Sequence, residues 1–487
     1  MMKCFTSRLA VVFCWFATLL VLPGLTPAQS ADSPSASRKA WRYTGTGGTN
    51  TFLNVDGKKW IIYRGDGRTY LYVEDRRTRD YVELRGPTTK LWFRLGDGQG
   101  FLRKSPEEAW KPWTTGKWID ADPLTAFDKF GPTDYRLRLV YFVPQDRQPA
   151  KNYERKIAVV MSLVAELYEN DLQAKGNPKA GLSFETEKDA PVVHLVRGKQ
   201  PASYYNNAPK YDPVEQFTRI GRELLETQGD PERHLIVVFA ETYEEGPAEE
   251  AWKGHIARGT ANPPDGGLAV YSTWVLKDEF CALSVPEQRK LFLDATPIPG
   301  RKAFGSARGN SARFEFIEDG IGAVAHELGH ALGLPHDYRE PGVDVMGNGF
   351  RNIRWNFTSQ AGGQRAKFSA ENARLLMSSR YINPKLNLVD YDPPVIDIKL
   401  KQSPSKAVTA HVTMTDDSGL RAIVFYDRTG EKRSSVVAGR PLRGKEMSFE
   451  QSLPPSVAEA GEVEIEVFVT DDGGNVSRQV AKLGGSK

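Results

Sequence analysis

Between His326 and His336 the chain reads His-Glu-Leu-Gly-His-Ala-Leu-Gly-Leu-Pro-His. Few backbone paths accommodate that segment. His326 and His330 stand four apart, so on a helix both rings leave the same face. Ile321, Val324, Ala325 and Leu328 are helix-compatible flanks, and Glu318 with Asp319 are expected near the helix N-terminus, where the dipole favours acids. Gly333 can take a left-handed conformation and stop the helix. The turn beyond it brings His336 back towards the pair. Burying three imidazoles together is costly unless an ion receives their lone pairs. Three nitrogens with one vertex left open suit a single catalytic Zn²⁺. Glu327, next to the first ligand, can reach a water at such an ion and act as its base.

This eleven-residue pattern, H-E-x-x-H-x-x-G-x-x-H, resembles the metzincin clan of zinc endopeptidases. Asp344-Val345-Met346-Gly347-Asn348 resembles the clan's methionine turn. The resemblance implies that Met346 floors the site without being a ligand, and that Asp337 orients the turn after His336. It implies hydrolysis of peptide bonds, with Zn²⁺ polarising the carbonyl and lowering the pKa of its water towards about 7. Glu327 would take that water's proton and deliver it to the leaving amine. Extended protein or peptide substrates would then add as a strand along an exposed edge. Gly267, Leu268, Ala269 and Val270 hold the place of the clan's cleft-edge strand, although an interior strand reads equally well. Some metzincins carry a tyrosine two positions after the methionine. Asn348 stands there, so no fifth ligand is expected, and no family within the clan is singled out.

The motif sits in the middle of a chain whose periodicity changes twice. Residues 41–130 read as an all-β domain: Trp60–Tyr63, Thr69–Val73, Tyr81–Leu84 and Leu91–Leu95 are short aromatic or β-branched runs separated by Asp-Gly turns. Trp110, Trp113 and Trp118 are expected as barrel or sandwich core rather than as sugar-stacking platforms. Residues 131–385 alternate strand and helix. Leu137–Val143, Val192–Val196 and Leu235–Ala240 are strands, Asn152–Lys175 is a helix, and Asp212-Pro213 opens another. Ser369 can cap a closing helix carrying Ala373, Leu375, Leu376 and Tyr381. The expected fold class is a multidomain α/β (α+β) architecture on a twisted mixed sheet with β domains on either side, in which the resemblance implies a metzincin-like catalytic domain. Beyond Asp392-Pro393-Pro394, residues 390–487 offer seven short strands, as in an immunoglobulin-like β-sandwich. The acid pairs Asp416-Asp417 and Asp471-Asp472 could attract Ca²⁺, but turn chemistry accounts for them and nothing in the sequence supports that ion.

Lys3 and Arg8, the apolar run Leu9–Leu22, and Ala28-Gln29-Ser30 make residues 1–30 a secretory signal peptide. The expected location is periplasmic, extracellular or otherwise secreted. Only Cys281 remains beyond that leader, so no intramolecular disulfide can form. It reads as a buried small hydrophobe. With 65 Lys+Arg against 61 Asp+Glu, the charge is too balanced to suggest a nucleic-acid partner. No later run is apolar enough to span a membrane. The competing reading is an exported adhesion or carbohydrate-binding protein with a structural or vestigial zinc site, whose β domains grip an extracellular polymer or protein. The intact Glu327 speaks against it, because a structural site needs no base.

Overall fold

The computed structural model describes residues 38–483 apart from 46–47, 65–68, 88, 121–134, 189, 246–251, 305, 307–308, 360–361, 430–433 and 459–462. The expected signal peptide lies outside the described residues.

Eight antiparallel strands, from β1 (Ala40–Gly45) to β8 (Lys111–Ile119), close into a barrel when β8 pairs with β1. Closure leaves no free edge. Its interior is aromatic: Trp41, Phe52 and Trp60 are fully buried, and Trp113 packs edge-on against Tyr43 at 4.6 Å. Trp110 lies on the outside, between the guanidinium groups of Arg94 and Arg103.

The central unit is built on a five-stranded sheet. Its strands are β9 (Arg138–Val143), β12 (Val193–Arg197), β13 (Leu235–Ala240), β14 (Ala257–Asn262) and β15 (Gly266–Ser272), in the order β12-β9-β13-β15-β14. All pairs are parallel except β14–β15. A two-stranded ribbon, β10 (Thr186–Glu187) and β11 (Ala190–Pro191), stands apart. Both faces of the sheet are covered, which explains the unbroken apolar run of β13. Leu235, Val237 and Phe239 join one core with helices α1 (Tyr153–Ala174) and α3 (Arg313–Ala331). Ile236, Val238 and Ala240 face helix α2 (Pro213–Thr227), which contributes Ile220 and Leu224. Asp212 caps α2 as expected, its carboxylate accepting from the Val214 and Glu215 amides. Among the described residues no helix is long and apolar enough to cross a membrane.

The C-terminal strands form two antiparallel sheets around one core. β16 (Val395–Gln402), β17 (Val408–Thr415) and β20 (Glu446–Ser452) make one. β18 (Leu420–Asp427), β19 (Ser435–Pro441), β21 (Val463–Asp471) and β22 (Val476–Leu483) make the other. This sandwich is fused to the central unit, since Val424, Val436 and Phe468 belong to the same apolar cluster as α1 and α3. The barrel is held to the central unit by polar contacts: Lys59 to Asp265 at 2.9 Å, Tyr63 to Arg233, and Thr69 to Asp230.

Candidate metal centre

α3 starts earlier than the acids suggested. Its first turn is fixed by the Glu315 carboxylate, which accepts from the Ala312 amide at 2.7 Å. Glu318 and Asp319 consequently lie inside the helix and are buried, too far from its end for the dipole to favour them. Burial pushes Glu318 up to about 8 and Asp319 up to about 7, against the opposing charges of Arg354 and Arg351. Two phenols pin the far end of the helix. Tyr271 donates to the Val324 carbonyl and Tyr168 to the Ala325 carbonyl, both at 2.8 Å.

The helix stops as the sequence requires. Gly333 has φ of 95°, and the Leu334 amide donates back to the Gly329 carbonyl at 2.9 Å. His326, His330 and His336 then converge, one ring nitrogen of each lying within 4.8 Å of the others. His326 Nδ1 faces the Val345 carbonyl at 2.7 Å, and His330 Nδ1 faces the Leu334 carbonyl at 2.8 Å. A carbonyl only accepts, so both Nδ1 atoms carry the proton and both Nε2 atoms offer a lone pair. His330 Nε2 sits 3.1 Å from His336 Nε2. Burial, with the neighbouring His330 second, holds His326 well below the usual imidazole range, and burial lowers His330 too. Neutral imidazoles with inward lone pairs are a donor set that fits Zn²⁺.

Met346 is fully buried beneath α3, with its sulfur against Gly329, where a side chain would collide with it. The Asp344 carboxylate accepts from the Met346 amide at 2.7 Å, and the Asp337 amide donates to the Met346 carbonyl at 3.1 Å. The Asp344–Met346 turn is thereby tied to the segment carrying His336. Asp337 is buried and pairs with Arg339 at 3.0 Å.

Glu327 is half-buried at the wall of a cavity of about 410 Å³ that His326, His336, Tyr338 and Phe350 also line. Desolvation pushes its carboxyl up to about 7, opposed by the Gly259 amide, which donates to it, and by Arg258. Gly259 lies on β14, the outer strand of the sheet. This corrects the cleft-edge expectation for Gly267, Leu268, Ala269 and Val270. Those residues form β15, which is paired on both sides, by β13 and β14, and has no free edge for a peptide. The strand before β15 reads too polar for a sheet member, with Arg258, Thr260 and Asn262, because an exposed outer strand has little to bury.

Other contributors also escaped the motif. His255 lines the cavity against Phe304, with its Nδ1 held by the Trp252 carbonyl at 2.8 Å. Tyr338 stacks on His336 at 5.3 Å. The sandwich closes the turn from behind: the Val436 amide donates to the His336 carbonyl at 2.9 Å, and Ser435 Oγ accepts from the Tyr338 amide at 2.8 Å. Among the described residues no barrel side chain lines the cavity.

One buried and two half-buried imidazoles beside a carboxylate, on a mixed α/β sheet, define a metallopeptidase class of site. A family model described as "Putative peptidase family" (Metallopep) matches residues 143–387, and the chain belongs to this family. A "Putative zinc metalloproteinase" of Schizosaccharomyces pombe is 30% identical over 154 residues, which is 31% of this chain. The match spans only 23% of that relative's length. Catalytically inactive OgpA of Akkermansia muciniphila, crystallised with an O-glycopeptide substrate, superposes with a TM-score of 0.50. It is 14% identical and covers 72% of this chain and 93% of its own. A structure of wild-type OgpA gives a TM-score of 0.49 at 13% identity, covering 72% of this chain and 94% of its own. At such identities the likeness concerns the fold.

Proposed function

We propose that the protein is an exported zinc endopeptidase of the metzincin type, with Glu327 as general base and His326, His330 and His336 as metal ligands. The observation that carries this reading is the convergence of three imidazole nitrogens beside Glu327 on a cavity wall. The ion, when bound, supplies Lewis-acid activation of a carbonyl and of a water. The chain's own residues do the rest. The Gly259 amide and Arg258 hold the Glu327 carboxylate at the cavity, where it can accept a proton and return it to a leaving amine. The Val345 and Leu334 carbonyls fix which nitrogens of His326 and His330 point inward. Met346 supports the rings from below, and the outer strand β14 offers backbone groups along which an extended peptide can lie.

The leader-like residues 1–30 support export. The barrel and the sandwich are read as permanent modules about a peptidase domain near 131–385, the sandwich being of immunoglobulin-like type. That no described barrel side chain lines the cavity supports a non-inhibitory role for the barrel. The test is cleavage of a peptide library, in plain and O-glycosylated forms, by zinc-loaded enzyme and by Glu327→Gln. Glu327→Gln should keep one equivalent of zinc and lose at least ~10²-fold in kcat/KM, the usual scale for a general base. Undiminished cleavage by that variant, or no cleavage of any peptide by the parent, would refute the reading.

A further inference from the structure

A second cluster of acids lies far from the histidines in the sequence, where the central unit passes into the sandwich. Asp390 belongs to the connecting segment, Asp416 and Asp417 to the β17–β18 turn, and one carboxylate oxygen of each lies within 4.8 Å of the others. Asp471, at the end of β21, is fully buried beside them. Among the described residues no Lys or Arg forms an ion pair with any of these four. Arg421 is engaged by Asp472 at 3.0 Å. Arg380 spends its guanidinium on the Gly473 and Asp390 carbonyls, on Tyr135 and on Asp265.

Turn chemistry accounts for only part of this. Asp416 Oδ1 accepts from the Ser418 amide, the Ser418 hydroxyl and the Gly419 amide. Asp390 Oδ1 accepts from the Asp392 amide at 3.0 Å. Both Asp471 oxygens accept from Asn475, through its amide and its side chain. Asp390 Oδ2 and Asp416 Oδ2 are different: both atoms are buried and neither accepts a hydrogen bond of good geometry, the Ser418 hydroxyl beside Asp390 being donated to Asp416 Oδ1. Asp390 is only 9% exposed. A buried carboxylate oxygen without a partner is costly unless a cation or proton meets it.

We propose that Asp390, Asp416 and Asp417 bind a Ca²⁺ ion that fastens the connecting segment to the sandwich. Oxygen donors of this charge suit a hard divalent cation, and a site made from two irregular segments with one exposed acid suits Ca²⁺, which tolerates irregular geometry, better than Mg²⁺. Neighbouring contacts are arranged to use such a fastening. Asn475 Nδ2 bridges from Asp471 to the Asp390 and Asp392 carbonyls, and Asp392 pairs with Arg85 of the barrel. One ion at this point would hold all three units at their junction.

The experiment uses the full chain, stripped of metal and reloaded with one equivalent of zinc. CaCl₂ is titrated in calorimetrically, with MgCl₂ as the comparison, and the Tm is followed alongside. One Ca²⁺ should bind, with a Tm that rises with its concentration and protection from trypsin near Lys385. Asp390→Asn and Asp416→Asn should each weaken Ca²⁺ at least ~10-fold, while Asp417→Asn, at an exposed position, should weaken it less. Without calcium, the Asn variants should melt no lower than the parent, because each removes a repulsive charge. His330→Ala should keep the response, which separates this site from the zinc centre. Absence of binding to the parent at ~10 mM CaCl₂, equal responses in parent and Asp416→Asn, or an Asp416→Asn that melts lower without calcium would each overturn the proposal.

Discussion

Gly259→Ala isolates the contact between β14 and the helix that carries Glu327. A methyl group at Gly259 would sit on the Glu327 carbonyl oxygen, 2.9 Å from the carbonyl carbon and 3.0 Å from His330 Cβ. Ordinary carbon contacts begin near 3.4 Å, so the strand and helix must part by about half an ångström at those atoms and by about 1 Å at the oxygen. That displacement stretches the hydrogen bond from the Gly259 amide to the Glu327 carboxylate. Misplacing a catalytic group by about 1 Å lowers turnover roughly 10²-fold. Overpacking costs about 1–3 kcal/mol of stability. The assay is kcat/KM on a fluorogenic peptide from the library, with bound zinc and the urea midpoint measured on the same preparation. Gly181→Ala is the control, because that glycine has open space around its Cα and no positive φ. A Gly259→Ala enzyme with full zinc and activity within about threefold of the parent would refute the claim that this strand positions the base.

Two further outcomes follow from a half-buried carboxylate and a buried thiol remote from the site. Burial raises the Glu185 carboxyl, but hydrogen bonds from His194 and Arg138 outweigh it and hold the group down at about 2. A carboxyl lowered on folding stabilises the chain above its ordinary pKa of 4.5 and loses that contribution as pH falls towards 2. After allowance for solvent screening, about 1–2 kcal/mol should disappear across that window in the parent and not in Glu185→Gln, read by urea unfolding at pH 5 and pH 3. Burial also pushes the Cys281 thiol up to about 12. It should ignore a disulfide-exchange reagent at pH 8 in the folded protein and react stoichiometrically in denaturant; fast labelling of the native state would contradict the packing.

The convergence of His326, His330 and His336 was legible because its information is local. Four residues of helix, a glycine with positive φ and a turn set the positions of three rings, and no distant contact is needed to write them down. β13 was legible for a similar reason, since a strand covered on both faces is apolar at every position. Which strand is outermost was not legible. That depends on pairing, and β14 carries an exposed, polar sequence that by itself resembles a loop. The start of α3 was misplaced because Glu318 and Asp319 look like first-turn acids, whereas the first turn is set by Glu315 and by the Thr296 and Asp294 carbonyls, which receive the Arg313 and Phe314 amides. Asp390 gave no sign of joining Asp416, because their proximity exists only once the sandwich has folded back on the segment leading into it.

The backbone bond from Val436 to the His336 carbonyl has a bearing on how this protein can be cut or recombined. A fragment ending at residue 387, where the family match stops, would contain His326, His330, His336 and Glu327, yet would omit the strand that braces His336 from behind. Trimming the gene to the stretch that matches the family would therefore yield a polypeptide whose His336 loop is left open on one side. Grafting a foreign appendage in place of the native one would need to reproduce a main-chain amide at that spot, whatever side chains it carried.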